Sequence, residues 1–400
     1  VQAQMATKRQ LARLDLRVAW LCGVVLLFEG YDIAAVGYAI PSLVDAWRVA
    51  PFAFTQALAA GNVGLFLGSL CAGYGDRLGR RPMLIGSVTV FGICSLLTVL
   101  AGSVLQLTGL RFLTGLGLGA GVPLAVALAS DFASPATQGR LVILMSAGVP
   151  IGFTVGGLLS SQLVPAFGWP AIFAVGGALP MLLVPLLALR LPETVELSET
   201  SLRNTTVAAL FRDGLAPITA LLWTMNFLSL FANFLILLWM PALLHSIGVS
   251  PSLAILAATM YPLGTILGAL LAASMVDRIG VEPVLTCVLA LSTLCVLVIG
   301  LLDPPFWLRS AIICGAGIGI GGCQTGLNSL SGLIYSPSIR STGAGWALGM
   351  GRVGTIVGPL VGGLLLATGF RAKGIFIASA VPIFAVTAIM GTFGRLRRSR

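Results

Sequence analysis

Apolar residues run in long blocks along the whole chain, and short polar connections interrupt them at regular intervals. Blocks long enough to cross a bilayer as helices fall near 18–43, 53–75, 83–101, 104–129, 141–163 and 170–190. A second set falls near 217–243, 251–274, 282–302, 306–334, 342–367 and 372–394. The pattern predicts an all-α membrane protein with twelve transmembrane helices. The longest polar stretch lies between the two sets and carries Glu193, Glu196, Glu199, Arg203, Arg212 and Asp213. Residues 1–190 therefore read as one six-helix bundle, 191–216 as a linker, and 217–400 as a second six-helix bundle.

The two halves resemble each other. Asp76-Arg77-Leu78-Gly79 matches Asp277-Arg278-Ile279-Gly280, and Pro82 matches Pro283. The ladder Gly115, Gly117, Gly119, Gly121 recurs as Gly315, Gly317, Gly319, Gly321, and Gly152, Gly156 and Gly157 recur as Gly358, Gly362 and Gly363. Three matches in the same order point to an internal duplication and two pseudo-symmetric bundles. Each glycine alone reads as a place where helix backbones pack closely, and as a set they mark helices able to slide against each other.

Composition narrows the class. Of 400 residues, 57% are hydrophobic and 9% charged, against roughly 25% charged in soluble domains, which excludes an ordinary soluble enzyme. The net charge of +10 comes from Lys and Arg gathered in the short connections, so it reads as an orientation signal and not as a nucleic-acid surface. Seventeen basic residues fall on one side and four on the other, which puts both termini and the linker in the cytoplasm. The seven cysteines lack metal-ligand spacing and read as small buried hydrophobes, and the single histidine, His245, excludes a multi-histidine metal site within this chain.

Charges inside spans are functional suspects, because each costs at least ~2.5–3.5 kcal/mol near the bilayer centre. Glu29 and Asp32, in FEGYD of the first span, lie three residues apart on one helix face with Gly30 beside them. Two close carboxylates in low dielectric do not both ionise cheaply, so at least one is expected to hold a proton. Arg352, in GMGRVGTIVGP of the eleventh span, is a planar permanent cation that either binds an anion or partners a buried acid. Arg111 opens the fourth span and either functions there or snorkels to the interface. Asn226 and Asn233 share a face of the seventh span, and Gln324 and Asn328 share one of the tenth. One polar cavity between the halves would gather these groups, with Tyr31, Tyr38, Trp239, Tyr261 and Trp346 as candidate aromatic walls. The loop GDRLGRRP at 75–82, with Asp76, Gly79, Arg80 and Arg81, and its weaker copy at Asp277 and Arg278, suits a hinge or latch.

On DRLGRR, RFLTGLGLGAG and the half-copy at Asp277, nearly the whole chain resembles the major facilitator superfamily. On FEGYDIAAVGYAIPSL, SDFASP at 130–135 and GRVGTIVGP it resembles the aromatic acid:proton symporters within it. The resemblance implies the major facilitator fold and proton-driven uptake of aromatic carboxylates such as hydroxybenzoates or phenylpropionates. It marks Glu29, Asp32, Asp76, Gly79, Arg80, Arg111, Asp131 and Arg352 as functional positions. Glu29 stands where many members carry Asp, and Ala72 where the loop motif begins with Gly. The expected partners are a small aromatic carboxylate, protons and the lipid bilayer, with no cofactor beyond the proton and no nucleic acid. The expected setting is a bacterial inner membrane, with the chain acting as a monomer. A proton-coupled exporter on the same fold is the nearest alternative. An intramembrane enzyme is disfavoured, since the chain has no HExxH, no pair of aspartates in opposed spans and no serine–histidine set.

Overall fold

Inside hydrocarbon no water is at hand to bond the backbone, so a spanning segment must satisfy its own N–H and C=O groups, and continuous helix does so. A computed structural model describes residues 2–132, 141, 144–192, 207–212, 214–336 and 339–398. Its long helices are α1 (Gln2–Trp47), α2 (Thr55–Cys71), α3 (Arg80–Thr98), α4 (Val104–Phe132), α5 (Gly148–Phe167) and α6 (Pro170–Arg190). They continue as α7 (Ala216–Ser246), α8 (Pro251–Ile279), α9 (Val281–Leu301), α10 (Phe306–Ile334), α11 (Arg340–Ala367) and α12 (Ala372–Arg398). Among the described residues, twelve helical segments are long and apolar enough to cross a membrane. Most of the predicted linker, residues 193–206 and 213, and the second half of SDFASP, residues 133–135, lie outside the described residues.

The chain forms two units, Val1–Trp47 with Gln56–Glu199, and Arg48–Thr55 with Thr200–Arg400. In the first, α1 packs on α5, and α3 on both α4 and α6; α2 meets α4. In the second, α7 packs on α11, α8 on α10, and α9 on both α10 and α12. The pairings repeat with a shift of six helices, so the duplication read in the sequence is a duplication of packing. The apolar core of the first unit is built from residues such as Val25, Leu26, Val88, Phe91 and Leu128 on α1, α3 and α4.

Glycines hold these pairs together. A Cβ on Gly115 or Gly119 would overlap the carbonyls of Gly61 and Leu65 on α2, and one on Gly117 would meet Phe91 on α3. In the second unit Gly317 and Gly321 meet Tyr261 and Thr265 on α8, while Gly319 meets Ser292 on α9. By contacts, then, Gly115, Gly117 and Gly119 correspond to Gly317, Gly319 and Gly321. That corrects the ladder alignment by two residues. A ladder with glycine at every second position matches itself under such a shift, so spacing alone does not fix its register. The other match holds: Gly152 lies against Leu27 and Tyr31, and Gly358 against Phe231 and Leu235.

The hinge-like loops also repeat. Gly79 and Gly280 have φ of 95° and 87°, a left-handed turn that other residues rarely adopt, each just before the next helix. The cysteines depart from expectation. Cys22, Cys94 and Cys323 are buried, but Cys71 and Cys287 are exposed. An outward helix face that meets lipid is as apolar as a core, so a thiol is placed there without penalty.

The close approaches yield a test within one helix. Gly119→Ala on α4 should lower the thermal midpoint of the purified protein by an amount corresponding to about 1–3 kcal/mol of overpacking. Gly109→Ala on the same helix, where an added Cβ meets nothing within 4 Å, should leave it unchanged or raise it slightly.

Candidate functional site

The deepest charges of the first unit form one cluster. Gly30 seats α1 against Val149 of α5, and Asp32, two residues on, points about 200° further round the helix, towards α3 and α4. Ser95 and Thr98 lie one turn apart on α3, and Arg111 and Thr114 one turn apart on α4. Ser95 donates to Asp32 Oδ1 at 2.7 Å, and Arg111 Nη1 donates to Asp32 Oδ2 at 2.9 Å. Arg111 Nη2 donates to Thr98 Oγ1 at 2.9 Å and Thr114 Oγ1 at 3.1 Å. Both threonine hydroxyls give their own protons to carbonyls of their helices, at Cys94 and Leu110, which leaves oxygen lone pairs for the guanidinium. The Arg111 Cζ also lies 4.9 Å from the ring centroid of Phe173 on α6.

Asp32 and Arg111 are 1% and 3% exposed, so Arg111 does not snorkel. Removing one member of such a buried pair strands the other charge, at a cost of about 3–5 kcal/mol. The partner of Asp32 is thus Arg111, and not Glu29 as the shared helix face suggests. Glu29, 2% exposed, reaches towards α4, where a Cβ on Gly121 would stand 3.1 Å from its Oε2 and 3.8 Å from Ser87 Oγ. Ser87 precedes Ser95 by two turns of α3, roughly 12 Å along the axis, so the two carboxylates are directed to different levels.

The α1 tyrosines are anchors. Tyr31 donates to the carbonyl of Ile172 at 2.9 Å, its ring seated on Gly156 and Gly176, and Tyr38 donates to the carbonyl of Phe153 at 3.0 Å. Neither hydroxyl proton is left for a ligand.

In the second unit the predicted polar residues are spread over several levels. Asn226 turns its amide back to the Leu222 carbonyl of its own helix at 2.9 Å. Asn233 accepts the Tyr261 hydroxyl proton at 3.0 Å. Gln324 and Arg352 are half-buried on α10 and α11. Trp346 is exposed and stacks on Trp223, centroids 5.7 Å apart, with Phe211 of the Val207–Phe211 turn edge-on to Trp223. It therefore joins the start of α11 to the end of the linker. In the first turn of α12 Lys373 bonds Asp303, which lies between α9 and α10, and holds that carboxyl below the ordinary range; the pair is exposed and contributes little to stability.

At the loop, Arg80 reaches the Ala127 carbonyl of α4 at 3.5 Å, and Arg81 the Ala188 carbonyl in the last turn of α6 at 2.5 Å. Arg81, at the C-terminus of α6, complements that helix's dipole, whereas Ala127 lies more than a turn before the end of α4. Arg278 is exposed. The side chains of Asp76, Asp131, Asp277 and Asn328 lie outside the described residues. Sequence reasoning missed Ser95, Thr98 and Thr114. Their signal was a hydroxyl three residues from another polar group within an apolar span.

With this geometry in place, comparison with known proteins is decisive for the family. The model of the Major Facilitator Superfamily matches residues 22–225 and 222–400. The 3-(3-hydroxy-phenyl)propionate transporter of Escherichia coli (strain K12) is 35% identical, over 95% of this chain and 94% of that protein. The gallate transporter of Pseudomonas putida is 31% identical, over 97% of this chain and 94% of that protein. Among solved structures, a bacterial homolog of the human lysosomal transporter Spinster shares the fold with a TM-score of 0.78 at 17% identity, covering 95% of this chain and 96% of that one. The chain belongs to the Major Facilitator Superfamily, and it is a multi-pass membrane transporter and not an enzyme.

Proposed function

We propose that the chain imports an aromatic carboxylate together with protons, by alternating access, across a bacterial inner membrane with both termini in the cytoplasm. The observation that carries the reading is the Asp32–Arg111 pair, a titratable carboxylate and a permanent cation sealed from solvent and held from several sides. A proton on Asp32 cancels its attraction for Arg111, and each partner keeps other contacts. Asp32 retains Ser95; Arg111 retains Thr98, Thr114 and Phe173. A pair with that support survives loading and unloading of a proton, as a coupled carrier requires. Glu29 is the second carboxylate on the proton's route.

The substrate class is supported by the relatives named for gallate and 3-(3-hydroxy-phenyl)propionate, carboxylates joined directly or through a short chain to a hydroxylated ring. Arg352 on α11 supplies a planar fork for such a carboxylate. The glycine contacts between helices suit sliding, and Arg80 and Arg81, bonded to carbonyls of α4 and α6, suit a latch that releases in one state. Import needs the carrier to reorient readily when fully loaded or empty, while a bare buried charge slows the half-loaded forms.

Uptake of labelled gallate, 4-hydroxybenzoate and 3-(3-hydroxyphenyl)propionate into proteoliposomes, with and without an inward proton gradient, tests the function. Accumulation that follows the gradient supports import, and gradient-driven expulsion would replace it with export. Asp32→Asn should abolish accumulation driven by the pH gradient yet keep binding or counterflow partly intact; full accumulation by this variant would remove Asp32 from the coupling. Arg352→Lys keeps charge but loses the fork, and should weaken carboxylate binding by about tenfold, on the order of one charge-assisted hydrogen bond. Equal binding by Lys would make Arg352 a structural ion partner.

A further inference from the structure

Asn233 and Tyr261 stand at positions where the two units carry different chemistry. The contacts of Gly152 and Gly358 equate Leu27 with Phe231 and Tyr31 with Leu235, so Asn233 occupies the place on α7 that Glu29 occupies on α1. The contacts of Gly115 and Gly317 equate Gly61 with Tyr261 in the same way. Where the first unit has a buried carboxylate and a glycine, the second has an amide and a tyrosine bonded to it.

That bond has a direction. Tyr261 is 1% exposed, and its hydroxyl proton, closed off from solvent, finds its acceptor in Asn233 Oδ1 at 3.0 Å. Turning the amide over would aim N–H at the phenol and leave a buried donor without an acceptor, which is expensive. The carboxamide is therefore held in one orientation, with its oxygen towards the phenol. Asn233 is half-buried and its Nδ2 is not among the buried, unpartnered nitrogens of the described residues. Its N–H groups are the part left accessible.

The level of the amide is also fixed. Gly354 lies against Phe227 and Phe231, and Gly358 against Phe231 and Leu235, so α7 and α11 run side by side in the same direction. Asn233 is then level with Gly358, about six residues or roughly 9 Å along the axis from Arg352. A cation at one level and a pair of donors at the other suit an aromatic ring with a carboxylate at one end and an oxygen at the other.

We propose that Tyr261 is a positioning residue that fixes the orientation of the Asn233 carboxamide so that its N–H groups are presented away from the phenol, and that Asn233 thereby selects aromatic carboxylates carrying a ring oxygen distal to the carboxylate. The inference rests on the reading that the chain carries aromatic carboxylates, and it adds the discrimination between ring-hydroxylated and unhydroxylated members.

Affinities of the full-length protein in proteoliposomes for 4-hydroxybenzoate against benzoate, and for 3-(3-hydroxyphenyl)propionate against 3-phenylpropionate, read this directly. The wild type should favour the hydroxylated acid of at least one pair by about tenfold. Asn233→Leu should bring that ratio close to one. Tyr261→Phe, which preserves shape but frees the amide to turn over, should reduce the ratio to an intermediate value, and adding it to Asn233→Leu should change nothing further. A general loss of folding would lower both affinities of a pair together, so the ratio isolates the effect, and Asn233→Leu tests the selector if Tyr261→Phe does not fold. A wild-type ratio near one for both pairs, or variants that keep the wild-type ratio, would overturn the selector while leaving transport standing. A wild type that binds none of the four acids would overturn the transport reading and the selector with it.

Discussion

In lipid, apolar side chains gain nothing by leaving their surroundings, so helices of this protein are held by how closely their backbones approach. Everything else hangs on those approaches. Gly30 presses α1 on Val149, Gly148 and Gly152 press α5 on Gly23 and Leu27, and Gly115 and Gly119 press α4 on α2. Once α1 is seated on α5 by its glycine side, the opposite side has to face α3 and α4, and that side carries Asp32. The buried ion pair is thus a consequence of glycine placement. A larger residue at position 30 would push α1 away from α5 and alter the reach between Asp32 and Arg111 before it touched either one.

The pair itself is an expensive element that stability alone does not explain, since buried ion pairs often do no better than well-packed apolar residues. What distinguishes this one is the way its neighbours are prepared. Thr98 and Thr114 spend their protons on their own helices and so act towards Arg111 as acceptors only. Ser95 does the reverse and donates to Asp32. The polar groups around each charge are oriented for that charge, which lowers the cost of holding it apart from its partner. Such preparation suits a pair whose ionisation changes during a cycle better than one that only braces a fold.

The fold was legible from the sequence because the signals are collective. Twelve apolar blocks and a matched pair of turn motifs leave few architectures open, and Gly79 and Gly280 mark the same left-handed turn in both halves. The register of the glycine ladder was not legible, since a period of two residues carries no information about shifts of two. The site was legible where a residue type is costly in lipid. Glu29, Asp32 and Arg111 stand out in any apolar span, but depth does not follow from sequence when a long side chain starts near a helix end. That is why Arg111 read equally well as a snorkelling residue. Hydroxyl groups such as Ser95 and Thr98 escape notice because most of their kind satisfy themselves on their own helix, as Thr89, Thr108 and Thr259 do here.

Duplication gives the protein two copies of one scaffold, and the chemistry placed on equivalent positions has diverged. Position 29 on α1 holds a carboxylate, and its counterpart at 233 on α7 holds an amide. A carboxylate can change charge, but it repels a substrate anion; an amide has no charge to change, yet it offers donors to an oxygen without repulsion. Placing both functions on one residue would make substrate recognition vary with proton occupancy at the same atom. On the proposed reading, separating them onto equivalent positions of two units removes that conflict, and the tyrosine at 261, where the first unit has Gly61, supplies the orientation that an amide needs and a symmetric carboxylate does not.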